Sequence, residues 1–192
     1  MAAERLFPHH RMHGVAMALE LEEVTGDWEA IRRLIPRTRA AVADNLSTLC
    51  VRNSKSLLVC AAACSALGDE AESRALEDEA ERLKAEGYEG ILEAPRIRLA
   101  LNRGDMRMVS DLVAKPKIQR RQIMFYPAAV TSYLDALAAL GERERLERDA
   151  PQFLASPSTL QPFALRALGI LRSDRSLLEE AATRFDQLGL EH

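Results

Sequence analysis

Apolar residues recur every three or four positions in ten separate stretches of this chain, and each stretch predicts a helix with one side turned to a core. Five are rich in alanine and leucine: HGVAMALELEEV, KSLLVCAAACSAL, APRIRLALNR, VTSYLDALAAL and PFALRALGIL. Each is followed by a more polar amphipathic stretch, beginning with DWEAIRRLI after the first and ending with DRSLLEEAATRFDQLGL after the fifth. In these second members the apolar positions form stripes, for instance Trp28, Ile31, Leu34 and Ile35, or Met106, Val109, Leu112 and Val113. Alternating, strand-like patterning is nearly absent; TLCVRN near residue 50 is the one short candidate, and its flanks read as a loop.

The same punctuation separates the two members of each pair: Gly26-Asp27, Gly68-Asp69, Gly104-Asp105 and Gly141-Glu142, with Ser173-Asp174 in the fifth place. Glycine enters the left-handed conformation that ends a helix without a Cβ clash. The acidic residue after it can cap the next helix or complement its dipole. Successive marks lie 42, 36, 37 and 32 residues apart, a period that predicts stacked two-helix repeats. The expected fold is therefore all-α, an α-α superhelix of about five antiparallel helix pairs forming a single domain over 1–192. Trp28, Leu58, Leu67, Leu99, Leu134, Leu137, Leu168 and Phe185 fall on the inward stripes and are expected to be buried. Longer connections are expected at NLSTLCVRN, EGYEGILEAP, AKPKIQRRQ and ASPSTLQP, where proline or glycine removes helical options.

Helix pairs of this length resemble tetratricopeptide-type repeats, with aliphatic residues in most of the consensus aromatic positions. The segments LLEEAATRFDQLGLEH, GDWEAIRRLIPRTRAAVADN, CVRNSKSLLVCA and PFALRALGILRSD are similar to the helical-repeat region at the C-terminal end of bacterial multidomain regulators. Those regulators carry an AAA-type ATPase, an adenylate cyclase or a LuxR-type DNA-binding domain. The resemblance spans nearly the whole chain and implies a region that receives a signal or partner and passes it to an output domain. No ATPase, cyclase or helix-turn-helix segment is present in the sequence, so the resemblance implies a stand-alone relative or a fragment.

Composition narrows the classes. The chain has 192 residues, is 47% hydrophobic and only 5% aromatic, and carries a formal charge of −3. That balance creates no field for nucleic acid or an anionic membrane. No run approaches the roughly 18 apolar residues of a membrane span, and the N-terminal stretch lacks the apolar centre of a signal peptide. Three cysteines form no disulfide framework and fit a reducing compartment. A cytoplasmic protein is expected, with no membrane and no direct nucleic-acid partner.

Candidate chemistry is sparse. His9, His10 and His13 cluster in PHHRMHG, but no carboxylate or cysteine lies at ligand spacing nearby, and the group reads as polar residues at a helix start. Cys60 and Cys64, four apart among alanines, read as small core residues. The carboxylates of the helix from Asp69 to Glu86 read as a solvated face. Lys115, Lys117, Arg120 and Arg121 concentrate in a loop that could meet an acidic partner. Phosphate-binding glycine loops, nucleophile elbows and zinc-protease motifs are missing from the sequence.

The expectation is thus a non-catalytic protein-protein interaction or signal-receiving scaffold with no cofactor, no metal and no catalytic residue, binding a protein, a peptide or a neighbouring domain. The first helices of stacked repeats commonly line the inner side, which makes Arg96, Arg98 and Tyr133 the candidate partner-binding residues. Two alternatives stand beside it: a small-molecule sensor domain of a transcriptional regulator, and a metal-dependent enzyme using the N-terminal histidines.

Overall fold

The computed structural model describes residues 7–48, 50–83, 89–114, 126–154 and 158–190. Among them the chain is all-α, with ten α-helices and no strand. These are α1 (Pro8–Thr25), α2 (Trp28–Asp44), α3 (Val51–Ala66), α4 (Glu70–Arg82), α5 (Glu89–Asn102), α6 (Met106–Ala114), α7 (Pro127–Leu140), α8 (Arg143–Asp149), α9 (Gln161–Arg172) and α10 (Arg175–Leu188). A 3-10 turn, Ala150–Phe153, continues α8. No described helix is long and apolar enough to cross a membrane.

The five marks fall where the sequence puts them. Gly26, Gly68, Gly104 and Gly141 have φ of 85°, 81°, 68° and 69°, and Ser173 takes the same left-handed region at 52°. At the last four, the amide after the mark donates to the carbonyl five residues back, Asp69 to Cys64, Asp105 to Ala100, Glu142 to Leu137 and Asp174 to Gly169, each at 2.9 Å. This bond closes a helix end by satisfying one of its free carbonyls. The aspartates then cap the next helix, Asp27 accepting from the Ala30 amide at 2.7 Å and Asp105 from that of Met108 at 2.9 Å. Glu142, one methylene longer, accepts no such bond.

Each odd-numbered helix packs on the even-numbered one that follows it, and the odd-numbered helices also touch in series, α1 on α3, α3 on α5, α5 on α7 and α7 on α9. The row curls far enough for α1 to touch α7. Central α3 is enclosed on all sides, every residue from 53 to 65 being buried. Met12, Leu19, Ile31, Leu57, Leu76 and Leu99 belong to the core of the first five helices. A smaller cluster of Ile97, Val109, Val113 and Ala136 leads to a third around Leu134, Leu146, Phe163, Leu168 and Phe185.

Several boundaries differ from the sequence reading. Helix α2 runs through Pro36 and α5 through Pro95, because burial of Thr38, Ala41 and Val42, and of Leu92, Ala94 and Ile97, outweighs the lost backbone bond. Helix α3 begins at Val51, so VRN is its first turn and not part of a loop; Asn45 and Asn53 fix this start with a buried 2.9 Å side-chain bond. Leu67 is 36% exposed, since it lies beyond the last helical residue where the chain is already reversing. Trp28 is half-buried against the first core cluster; the other expected core residues are buried. The acidic face of α4 is also not simply solvated. Glu72 and Glu79 hold Arg39 of α2, Glu70 and Glu77 hold Arg103, and Glu81 holds Arg96.

Candidate functional site

The row of odd-numbered helices carries a polar seam in two parts. Glu20 of α1 accepts from Lys55 Nζ at 2.7 Å and from Arg52 at 3.1 Å, both on α3. The Lys55 ammonium also sits 4.0 Å from the centre of the Tyr126 ring at the start of α7. Farther along, Asp135 of α7 receives Arg98 of α5 at 2.9 Å and Arg166 of α9 at 2.8 Å. Arg166 in turn lies over the rings of Phe163 and Phe185. These pairs lie largely inside, with Lys55 4% exposed, so each charge is held by a partner at the cost of much of its hydration.

Glu23 lies within electrostatic reach of both halves of the seam, of Lys55 in one and Arg98 in the other. It is 5% exposed, and neither carboxylate oxygen has a hydrogen-bond partner among the described residues. Burial raises its pKa above the ordinary value, against the opposing pull of the nearby Lys55 and Arg98 cations and with some help from Glu20. The buried Ser54 hydroxyl of α3 is likewise unpartnered. A buried carboxyl that accepts nothing from its surroundings is uncommon in a folded protein.

The structure gives Arg96, Arg98 and Tyr133 three different neighbours. Arg96 turns to Glu81 of α4 at 2.8 Å, and Arg98 reaches the seam, where it also meets the Ser132 hydroxyl at 3.4 Å. The Tyr133 hydroxyl donates to Asp149 at 3.0 Å and accepts from Arg145 of α8 at 3.2 Å. Burial leads the causes that push its phenol pKa up. Of the three, Arg98 belongs to the seam, while Arg96 pairs with Glu81 of α4 and Tyr133 with Asp149 and Arg145.

The histidines behave differently from their sequence reading. His9 and His13 are half-buried and share one side of α1, their ring centres 4.3 Å apart, while His10 is exposed. Cys50, the residue before α3, lies with Sγ 3.9 Å from His13 Nε2. Cys60 and Cys64 are buried inside α3, and burial pushes their thiols up to about 12 and about 11. Thiols so protonated are poor nucleophiles and poor ligands. Lys115, Lys117, Arg120 and Arg121 lie outside the described residues.

The outward side of α1 is the last feature. Phe7, His10, Gly14, Met17 and Leu21 follow one another at spacings of three, four, three and four, and all five are exposed. Met17 is 66% and Leu21 62% accessible. Residues at these spacings line one helix face, so the polar seam and the apolar stripe occupy different sides of the same helix.

No family model, no curated protein and no solved structure matches this chain.

Proposed function

We propose that the protein is a non-catalytic scaffold, a tetratricopeptide-like superhelical stack, that holds a helical segment of a protein partner or of a neighbouring domain. The observation that carries this reading is the apolar stripe on α1. Stacked helical repeats require a polar outer face on their terminal units. Helix α10 comes nearer to that requirement, with Glu179, Glu180, Arg184, Asp186 and Gln187 exposed beside Leu178 and Leu188. Helix α1 does not, and its three-four spacing is that of a helix-pairing seam. Arg96, Arg98 and Tyr133 each engage an acidic side chain of this chain, and the reading places the receptive surface on the apolar stripe of α1. The resemblance to the helical-repeat regions of bacterial regulators supports a signal-receiving role for such a surface.

A photo-crosslinking residue placed at position 17, compared with one at position 180, tests the proposal. Position 17 is expected to capture one polypeptide, through a helical segment, and position 180 none. Met17→Lys with Leu21→Lys should abolish capture while leaving the circular dichroism unchanged. Equal capture from both positions, or capture that survives the double substitution, overturns it.

The unpartnered Glu23 and Ser54 favour a second reading, a sensor for a small cationic or hydrogen-bond-donating molecule. Native mass spectrometry would then show a retained ligand that Glu23→Ala loses.

A further inference from the structure

His9 and His13 stand one helical turn apart at the start of α1, a spacing that puts both imidazoles on one face. The extended residue that precedes α3, Cys50, supplies a thiol from the other side. One donor atom from each of the three lies within 4.8 Å of the others. Around tetrahedral zinc, with Zn–S of about 2.3 Å and Zn–N of about 2.0–2.1 Å, donors stand roughly 3.3–3.6 Å apart. The 3.9 Å between Cys50 Sγ and His13 Nε2 is close to that, and side-chain adjustments on the order of 1 Å bring in the rest.

An independent observation points the same way. His9 Nδ1 is shut from solvent and has no hydrogen-bond partner among the described residues, although buried nitrogens are normally satisfied. We propose that His9, His13 and Cys50 bind one thiophilic transition-metal dication of the zinc class, fastening the start of α1 to the start of α3. Solvent takes the fourth position, since all three side chains are only half-buried. The nitrogen and sulfur donors select zinc-like ions over magnesium or calcium.

Surrounding charges fit the assignment. The His13 pKa is lowered, first by burial, then by the Arg52 cation and by His9 and His10, against an opposing effect of Glu20; its lone pair is therefore available at neutral pH. Arg52 would repel a dication but is drawn to Glu20 at 3.1 Å. Binding converts the Cys50 thiol to thiolate and releases its proton to solvent, with no change of oxidation state. The site does not depend on the stripe of α1 or on any partner.

The untagged full-length chain, reduced and stripped with chelator, is titrated with Co2+ as a spectroscopic stand-in for zinc. One equivalent is expected to develop thiolate-to-cobalt charge transfer and the visible bands of four-coordinate cobalt, zinc should displace it, and zinc should raise the melting temperature. Cys50→Ser and His13→Asn should each remove the bands and weaken zinc binding at least about tenfold, while Cys60→Ser, Cys64→Ser and His10→Asn leave both intact. Serine is a favourable residue before a helix, so Cys50→Ser keeps the fold, and His9→Asn serves if His13→Asn is unstable. No saturable cobalt–thiolate band at one equivalent, a band that survives Cys50→Ser, or binding of copper with neither cobalt nor zinc overturns the proposal.

Discussion

Glu23 shows how one side chain can be costly in a way its sequence does not display. Within LELEEV it resembles Glu20 and Glu22, and only the packing of other helices on α1 makes it buried while its neighbours keep partners. Its pKa is raised above the ordinary 4.5, which fixes the sign of a pH effect. Below about pH 4.5 the carboxyl is protonated in both folded and unfolded chains, and its contribution is fully present. As pH rises the unfolded chain ionises first, so this contribution shrinks and is lost once the folded group ionises too. Glu23→Gln, which imitates the protonated form, should therefore be more stable than the wild type at pH 8 and equal to it at pH 4. Denaturant melts at the two pH values check this; an advantage of equal size at both, or a deficit at pH 8, contradicts it. Of the His9, His13 and Cys50 group, the sequence displays only that histidines gather at the start of α1; which two share a face with Cys50 is decided by the packing of α3 on α1.

At the scale of the element, the sequence was clearest where the physics is local. A residue with positive φ, followed by an acid, ends one helix and starts the next wherever it occurs, and no tertiary contact is needed to recognise it. The passage of helices through Pro36 and Pro95 and the helix start at Val51 are not legible in the local pattern, because burial against other helices decides them and propensity yields to burial. The turns also provide a clean comparison. A Cβ added at Gly104 would meet nothing within 4 Å, so Gly104→Ala carries only the conformational penalty of a left-handed residue, on the order of 1 kcal/mol. Ser173 already bears that penalty at φ 52°, and Ser173→Gly should recover on the order of 0.5 kcal/mol after the added chain entropy of glycine. Opposite shifts in denaturation midpoint are expected; shifts of the same sign would mean that the serine hydroxyl, and not the backbone, sets the fifth turn.

Across the whole molecule, the repeat period foretold helix pairs but not how far their row bends. The contact of α1 with α7, and the two-part seam of Lys55, Glu23, Arg98, Asp135 and Arg166 along the odd-numbered helices, depend on side chains more than thirty residues apart. The apolar core, by contrast, stays divided, the small Ile97, Val109 and Ala136 cluster standing between a large one around α3 and another around Phe163. In the stacked array proposed above, stability passes mainly between neighbours, so damage at one end should remain there. Phe163 is fully buried and meets Phe185 edge-on at 4.9 Å between ring centres, and Phe163→Ala is expected to cost about 3–5 kcal/mol. Hydrogen exchange followed by mass spectrometry should then show faster opening of α9, α10 and the adjoining turns of α7, with α3 amides retaining their protection. If α3 loses protection to the same extent, the charged seam and the α1–α7 contact bind the chain into one cooperative unit, and the divided core does not govern its unfolding.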